Sequence, residues 1–403
     1  MSPALSVPEG YKMTEVGIIP GDWLVTTVGD EFSIQLGKML DEEKNTGTYK
    51  PFLGNRSVQW SWIDISGIGE IKLTSTDIQK FRLRRGDLLV CEGGEVGRSA
   101  IWKDELEECY FQKALHRLRP KRFYNVPLMS HLLQWLADTG GLQNFVTQTS
   151  IAHLPKDKFE TVPIPLLEKA EQEAIAEALS DADALVESLA QLLVKKRQIK
   201  QGAMQELLTG QKRLPGFSGE WKVKILGEIA PLQRGFDLPN SEMKQGTYPV
   251  VASNGIINHH LVFQVKGPGV VTGRSGTIGK VSYVESDFWP HNTALWVTSF
   301  KENDPKFIFY LYTHIGLEKF ATGSGVPTLN RNDVHAFRVN IPAAKAEQSA
   351  IAAILSTLDS DIAALQSQLV KARQIKQGMA QELLTGRIRL VSPATPTNQG
   401  IPA

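Results

Sequence analysis

Two stretches of the chain carry apolar residues at alternating intervals of four and three. They are Ile175, Leu179, Ala182, Val186, Leu189 and Leu193 in the first stretch, and Ile351, Leu355, Leu358, Ile362, Leu365 and Leu369 in the second. This spacing puts the apolar side chains on one face of a helix, as in a coiled-coil seam. A proline precedes each stretch, and Gly210 or Gly386 closes it. The pattern predicts two long helices, the first over about 168–208 and roughly 60 Å long.

The two predicted helices are copies of one sequence. Residues 195–210 read KKRQIKQGAMQELLTG, and residues 371–386 read KARQIKQGMAQELLTG. Upstream, Glu171-Gln172 recurs 176 positions later as Glu347-Gln348. A second pair of similar segments, GDWLVTTVGDEFSIQLGK at 21–38 and GEWKVKILGEIAPLQRGF at 219–236, is 198 positions apart. The order is therefore domain, helix, domain, helix, and the second copy is 22 residues shorter within its globular part.

The duplication predicts the architecture. A pseudo-twofold axis that exchanges the halves also exchanges the helices, most simply as an antiparallel intramolecular coiled coil with one domain at each end. We expect an α+β protein with two α/β domains separated by two long helices. Its predicted segments are a first domain at 1–166, a central helical spacer at 167–210, a second domain at 211–343, a distal helical spacer at 344–390 and a disordered tail at 391–403. A generic dimerisation element is the alternative for the helices.

Local patterns within these segments predict shorter elements. Segments 86–102 and 269–284 have the pattern strand, glycine turn, strand, and helices are expected at Val126–Gln143 and Pro305–Phe320. Gly202 and Gly378 lie inside the long-helix pattern. Each either permits close approach of another chain or ends the regular helix early.

The charge balance does not by itself indicate DNA binding. Lys and Arg total 44 and Asp and Glu total 43, a net charge of +1, whereas an autonomous nucleic-acid-binding domain has a basic excess. A DNA-binding role would require cations gathered on one face and help from companion subunits. The two cysteines, Cys91 and Cys109, have no metal-ligand spacing. No long apolar run or signal segment is present, so we expect a cytoplasmic protein.

Catalytic motifs are not found, and we predict neither catalytic nor metal-binding residues. The run Gly273 to Lys280 resembles a phosphate-binding loop, but five residues separate its first glycine from Gly279-Lys280, and Val281 follows the lysine. A structural hairpin is favoured there, with a DNA-backbone contact as the alternative. A serine nucleophile elbow, a zinc-protease motif, a dinucleotide fingerprint and the Pro-Pro-aromatic motif of adenine methylation are all missing.

Polar loops rich in Asn, Arg and Gln are the candidate DNA-reading sites. Arg can grip guanine through two donors, and Asn or Gln matches the adenine edge. In the first domain the candidates are Asn55, Arg56, Gln59, Arg98, Gln148, Thr149 and His153, and in the second Asn254, Asn258, His259, Arg274, Ser324, Asn330 and Arg331. Each could instead be a solvated loop side chain. Trp60 and Trp62 are expected to pack in the core.

The pattern as a whole resembles the specificity subunits of Type I restriction-modification systems, over roughly Tyr11 to Leu390. The matching features are the Gly-Asp-Trp and Gly-Glu-Trp openings, Ile-Pro followed by Glu-Gln-Xaa-Ala-Ile, and Gln-Glu-Leu-Leu-Thr-Gly at both helix ends. The resemblance implies two target-recognition domains that direct partner enzymes to a bipartite site on double-stranded DNA.

It also implies a complex with two methyltransferase subunits, which bind S-adenosylmethionine and flip the target adenine, and two ATP-dependent motor-nuclease (restriction) subunits. Neither cofactor is expected on this chain, and no membrane contact is implied. Two other interpretations stay open on the sequence. One is an orphan DNA-binding or regulatory protein, and the other is a scaffold with enzymes docked on its coil.

Overall fold

The computed structural model describes residues 7–41, 43–148, 152–323 and 327–391. The chain divides into two compact units. The first contains the residues up to Ser188 together with those from Val370 onward, and the second is Leu189–Leu369. Each unit therefore combines one globular part with a portion of each long helix. The predicted tail at 391–403 falls, apart from Val391, outside the described residues.

The globular part of the first unit is mixed α/β. Its strands are β1 (Tyr11–Thr14), β2 (Gly17–Pro20), β3 (Leu24–Thr27), β4 (Phe32–Leu36), β5 (Thr48–Leu53), β6 (Gly69–Leu73), β7 (Leu88–Cys91), β8 (Ser99–Ile101), β9 (Tyr110–Phe111), β10 (Leu115–Pro120), β11 (Thr147–Gln148), β12 (Ala152–His153) and β13 (Pro163–Leu166). Its helices are α1 (Val28–Glu31), α2 (Ser75–Phe81), α3 (Val126–Thr139) and α4 (Lys156–Glu160), with a 3-10 turn at Gln143–Phe145. The long helix α5 follows at Lys169–Thr209, which confirms the predicted span.

The second unit repeats this order from β3 onward, without an equivalent of α2. Its strands are β14 (Trp221–Ile225), β15 (Leu232–Arg234), β16 (Gln245–Ala252), β17 (Gly255–His260), β18 (Gly269–Gly273), β19 (Val281–Val284), β20 (Trp289–Pro290), β21 (Ala294–Val297), β22 (Ala321–Thr322), β23 (Thr328–Leu329) and β24 (Arg338–Pro342). Its helices are α6 (Leu226–Ile229), α7 (Pro305–Ile315) and α8 (Arg331–His335), with 3-10 turns at Asn240–Glu242 and Leu317–Phe320. The second long helix, α9, spans Lys345–Leu384.

The two globular parts share one sheet topology. An antiparallel sheet of order β4-β10-β7-β8 recurs as β15-β21-β18-β19, and a mixed sheet of order β6-β5-β9 recurs as β17-β16-β20. The strand before each globular part pairs with the strand after it, as β3 with β13 and β14 with β24. Both predicted glycine hairpins are confirmed by the antiparallel pairs β7·β8 and β18·β19.

Most of the 22-residue difference in length between the two globular parts lies in the chain segment that runs from β5 to β7 in the first unit and from β16 to β18 in the second. Leu53 and Val251 occupy equivalent places and are 198 positions apart, whereas Val90 and Thr272 are 182 apart. In the first unit this interval contains a long loop at 54–68 and helix α2. In the second, Ser253 and Asn254 alone join β16 to β17. The shared sheets are thus retained, and the connections between them differ.

The predicted ends of two helices were wrong. The helices expected at Val126–Gln143 and Pro305–Phe320 end at Thr139 and Ile315. Gly140 and Gly316 adopt left-handed conformations, with φ of 78° and 69°, which stops each helix before a 3-10 turn. Both helix starts are well defined, because Asn125 and Asp304 accept hydrogen bonds from backbone N–H groups of the first turn.

The two long helices pack antiparallel within each unit. In the first unit, Ile175 and Leu179 of α5 share a core with Leu383 and Leu384, at the opposite end of α9. In the second, Leu207 and Leu208 share a core with Ile351, Ala352 and Leu355. The outer seam residues are buried and the middle ones half-buried. The buried members are Ile175, Leu179, Leu193, Ile351, Leu355 and Leu369, and the half-buried members are Val186, Leu189, Leu358, Ile362 and Leu365.

Gly202 and Gly378 do not end the helices. Helix α5 continues to Thr209 and α9 to Leu384. A Cβ atom added at either glycine would meet nothing within 4 Å among the described residues. Of the two alternatives, an early helix end is therefore wrong, and these positions leave open space beside the helices.

A buried carboxylate at the start of each long helix joins three distant segments. In the first unit, Glu171 accepts from Trp23 Nε1 at 2.9 Å and pairs with Arg389, which lies beyond α9. Arg389 also pairs with Asp22 at 2.8 Å. Its guanidinium lies 5.6 Å from the centroid of the Trp23 ring. Because both Glu171 oxygens are engaged, the charge tolerates removal from water.

The second unit has the same arrangement. Glu347 accepts from Trp221 Nε1 at 3.3 Å and from Arg213 at 2.6 Å. Trp221, Glu347 and Arg213 correspond to Trp23, Glu171 and Arg389. The neighbouring glutamine is also buried in both units. The Gln172 and Gln348 amides accept the backbone N–H that begins α3 or α7, at 2.8 and 2.9 Å. The duplicated Glu-Gln pair therefore anchors each globular part to its helix.

An ion pair between the long helices is duplicated as well. Lys376 of α9 pairs with Asp183 of α5 in the first unit and donates to Gln134 of α3 at 3.0 Å. In the second unit, Lys200 pairs with Asp359, which accepts from the Tyr310 hydroxyl of α7 at 2.7 Å. Each ion pair thus also binds the main helix of the globular part.

Removing one cation should expose the dependence of the first unit on the Glu171 site. We expect Arg389→Ala to destabilise it by on the order of 3 kcal/mol, because a carboxylate that is almost fully buried loses its countercharge. Denaturant unfolding followed by tryptophan fluorescence measures this change. The matched control is Arg387→Ala, whose exposed ion pair with Glu382 contributes at most about 1 kcal/mol. Equal stability of the two variants would contradict the assigned role.

Candidate nucleic-acid interface

In both globular parts the glycine hairpin meets a second loop, which contains Asn55 in the first unit and Asn254 in the second. We call this second loop the asparagine loop. Arg98 at the end of the first hairpin turn donates to the Asn55 carbonyl at 2.9 Å, and the Asn55 amide donates to the Gly93 carbonyl at 3.0 Å. In the second unit, Lys280 occupies the place of Arg98 and donates to the Asn254 carbonyl. One basic side chain per unit therefore fixes the asparagine loop to the hairpin.

A third segment with predicted residues, which contains His153 in the first unit and Asn330 in the second, joins the same place. Gly93 forms a β-bridge with His153, and Leu154 N–H donates to the Glu92 carbonyl at 2.7 Å. In the second unit, Leu329 N–H donates to the Arg274 carbonyl at 2.8 Å, and Ser275 bridges to Thr328. Three loops that are far apart in sequence thus converge in each globular part, at the turn that follows β7 or β18.

Several predicted residues at this convergence are accessible to a ligand. Those exposed to solvent are Arg56, Asn254, Asn330 and Arg331, and those half-exposed are Asn55, Gln59, His153 and Arg274. Asn258 and His259 are also exposed, but they lie near the far end of β17 and not at this turn. No described residue pairs with the Arg56 guanidinium, and its backbone carbonyl accepts from Gln59 at 2.7 Å. Gln148 lies in β11. Thr149 and Ser324 fall outside the described residues.

Other predicted residues have structural roles of their own. Arg98 is mostly buried and also pairs with Glu95 at 3.1 Å. Asn330 caps helix α8 by accepting from Asn332 N–H at 3.0 Å. Asn258 accepts from the backbone of His259 at 2.8 Å. These contacts hold the loops in shape, and a role of the same residues in DNA binding stays a prediction.

Two features of the first loop were missed by sequence reasoning. Trp62 is 57% exposed, so the expectation that it packs in the core was wrong. Trp60 is half-buried, and its indole N–H donates to Glu95 at 2.6 Å. The residue in the sequence that could have indicated this arrangement is Glu95 in the glycine turn, because it pairs with both Trp60 and Arg98. The loop at 54–68 therefore presents an exposed aromatic ring as well as the exposed Arg56.

The reactive side chains near this region are buried. Burial raises the pKa of the Cys91 thiol to about 11 and that of Cys109 to about 12, so both thiols stay protonated and serve packing. Burial also lowers the pKa of His116, which is fully enclosed and bonded to the Leu154 carbonyl at 2.9 Å. Among the described residues no cluster of His, Cys, Asp and Glu could hold a metal ion.

Among the described residues, no helix combines the length and the apolar composition that crossing a membrane requires. Both long helices are rich in charged side chains along their outer faces.

Comparison with known families identifies the class of the protein. The model of the Type I restriction modification DNA specificity domain matches twice, at residues 20–195 and 218–372. The two matches coincide with the two halves of the repeat. The chain belongs to this family of non-catalytic DNA-recognition subunits. The family assignment disfavours an orphan regulator or a scaffold, and it implies DNA and other restriction-modification subunits as partners.

Individual relatives agree over nearly the whole chain. A protein of Methanocaldococcus jannaschii named as the type I restriction enzyme MjaX specificity subunit is 25% identical, with 95% of this chain and 97% of that protein covered. The type I restriction enzyme MjaVIII specificity subunit of the same organism is 23% identical, with 95% and 96% covered. The fold is similar to the crystal structure of the S subunit from M. genitalium, with a TM-score of 0.64, 17% identity and coverage of 95% and 99%.

Arg56 and Arg98 should respond differently to truncation. We expect Arg56→Ala to lose about 1–3 kcal/mol at one base pair of the target, because its free guanidinium can bond a guanine edge through two donors. Arg98→Ala should instead loosen the loop and weaken binding at several positions. Competition binding with a panel of single base-pair substitutions measures both patterns. An equal loss on every sequence would make Arg56 a phosphate contact.

Proposed function

We propose that this chain directs a Type I restriction-modification complex to a bipartite target in double-stranded DNA, and that each globular part reads one half. The observation that supports this proposal is that three loops meet at one turn in each unit, on sheets of the same topology. The sheets are alike in the two units, but the loops differ. The first unit has a long loop with Arg56 and Trp62, where the second has only the short Ser253-Asn254 turn. Two different half-sites are the natural ligands of such a pair.

The long helices support a proposal about the partners. Arg197, Ile199 and Gly202 recur as Arg373, Ile375 and Gly378, and all six are exposed. The two isoleucines are 47% and 52% exposed. Packing within the chain does not require identity at exposed positions. Two identical surfaces fit two copies of one partner, with a glycine that allows close approach. We assign them to two methyltransferase subunits.

The chemistry then resides on other subunits. In this proposal the methyltransferases bind S-adenosylmethionine and the target adenine, and two restriction subunits use ATP. The chain itself needs no cofactor for DNA recognition. With a net charge of +1, it relies on these subunits for much of the attraction to phosphates. Because the target is the DNA of the cell and of incoming elements, we place the complex in the cytoplasm.

Exchange of one globular part tests the proposal directly. Residues 28–162 lie between the closing strands β3 and β13, so another family member's segment can replace them while Trp23 and Glu171 stay. Methylation mapping of cellular DNA should then show one half of the target changed and the other half kept. Replacement of 226–337 is the matched control and should change only the other half. Loss of both halves in either chimera, with the complex still assembled, would contradict modular reading.

The repeated helix surface predicts a countable effect. We expect Ile199→Glu to leave one methyltransferase subunit bound instead of two, since a charge in an apolar contact costs 2 kcal/mol or more at a hot spot, about thirtyfold in affinity. Ile375→Glu should do the same, and the double variant should bind none. Native mass spectrometry counts the subunits. Leu185→Asp is the control, because Leu185 is as exposed but its counterpart is Asp361. Two bound subunits in both single variants would refute this surface.

A further inference from the structure

The edge strand of the second globular part presents an unusual apolar surface. Strand β17 lies at the edge of the sheet β17-β16-β20. Ile256 and Ile257 on this strand are 58% and 45% exposed, and Leu261 and Val262 just after it are 59% and 51% exposed. An exposed apolar edge is an aggregation hazard unless a ligand covers it. Some surface must therefore meet these side chains in the working protein.

The backbone aims one of these side chains outward. Val251 of β16 pairs with Ile256, and the adjacent Val250 pairs with Asn258, so Ile257 has no partner across the strand. This is a β-bulge, which bends an edge strand and redirects a side chain, often beside a functional site. Val250 and Val251 are fully buried, whereas the residues opposite them are exposed. The strand thus projects beyond the core at Ile256 and Ile257.

The segment of the chain that contains β17 has no carboxylate of its own. The segment from Met243 to Val284 contains no Asp or Glu, although such residues make up 43 of the 403 in the chain. It contains Lys244, Lys266, Arg274 and Lys280. Lys280 lies against Gly255 at one end of β17, and the exposed Lys244 bonds to His260 and Leu261 at the other end through its backbone. An apolar strip with cations at both ends complements a polyanion rather than a typical protein surface.

The dimensions agree with a DNA groove. A six-residue strand spans about 20 Å at 3.4 Å per residue, so the two lysines can reach phosphates on both sides of a major groove about 12 Å wide. The apolar group that DNA presents in the major groove is the 5-methyl of thymine. The loop of Asn254, which Lys280 holds, lies at the start of the same strand.

We propose that Ile256 and Ile257 read thymine 5-methyl groups in the half-site of the second globular part. The inference rests on the proposed function, and it adds a chemical class of contact that polar loop residues do not supply. Lys244 and Lys280 position the strand by binding phosphates that flank the groove. Thymine is then distinguished from cytosine by an apolar contact as well as by hydrogen bonds.

Deoxyuridine, which lacks the 5-methyl group, tests the proposal. Each thymine of the mapped second half-site is replaced in turn, and the affinity of the assembled complex is measured. At least one replacement should weaken wild-type binding about fourfold, the factor for one buried methyl-sized group. The same replacement should not weaken DNA binding further in either the Ile256→Ala or the Ile257→Ala variant. The reason is that the loss of the thymine methyl group and the loss of the isoleucine side chain remove the same contact. The control Val223→Ala, exposed on β14, should keep the wild-type penalty.

The outcomes separate this inference from the function on which it rests. Sequence-specific binding with no penalty at any deoxyuridine would overturn the thymine contact alone. A penalty that persists in both isoleucine variants would also overturn it. Weaker binding of methyltransferase subunits by Ile256→Ala without DNA would show that a protein covers the strand. Loss of all sequence-specific binding by the wild-type complex would overturn the proposed function as well.

Discussion

A carboxylate held away from water at the start of each long helix is the contact on which each unit depends. Glu171 and Glu347 are nearly fully buried, so each requires a countercharge and hydrogen-bond donors. The donors come from the tryptophan that opens the globular part and from an arginine beyond the end of the other helix. The carboxylate is satisfied only when that helix end returns to it. This requirement fixes the antiparallel packing within each unit.

The contacts that stabilise each unit are separate from the loops proposed to read DNA. The Trp–Glu–Arg contact, the buried glutamine and the Asp–Lys ion pair recur in both units. The tryptophans are 198 positions apart and the other residues 176. The loops that meet at the turn share one contact between the two units, in which Arg98 or Lys280 of the hairpin donates to the carbonyl of Asn55 or Asn254. Because the framework does not use the loop tips, those tips can vary without loss of the fold.

The net charge of the whole chain conceals an uneven distribution of charge along it. The whole sequence is almost neutral, yet 243–284 has no acidic residue and contains the exposed strand β17. Acidic side chains elsewhere are used in ion pairs, such as Asp183 with Lys376 and Asp359 with Lys200. The segment 243–284 therefore has a net positive charge, from four cations and no carboxylate, although the charges of the whole chain nearly balance. The proposed steering by partner subunits and the proposed reading of DNA by β17 are therefore compatible.

The sequence by itself determined the two long helices, the duplication, the glycine hairpins and the family, because these follow from local periodicity and from identity between the copies. It misplaced the ends of α3 and α7, where Gly140 and Gly316 take left-handed conformations. Only the tertiary structure decided that Arg98 ties a loop, that Trp62 is exposed and that three loops meet at one turn. These features depend on contacts between residues tens of positions apart, and no local pattern records such contacts.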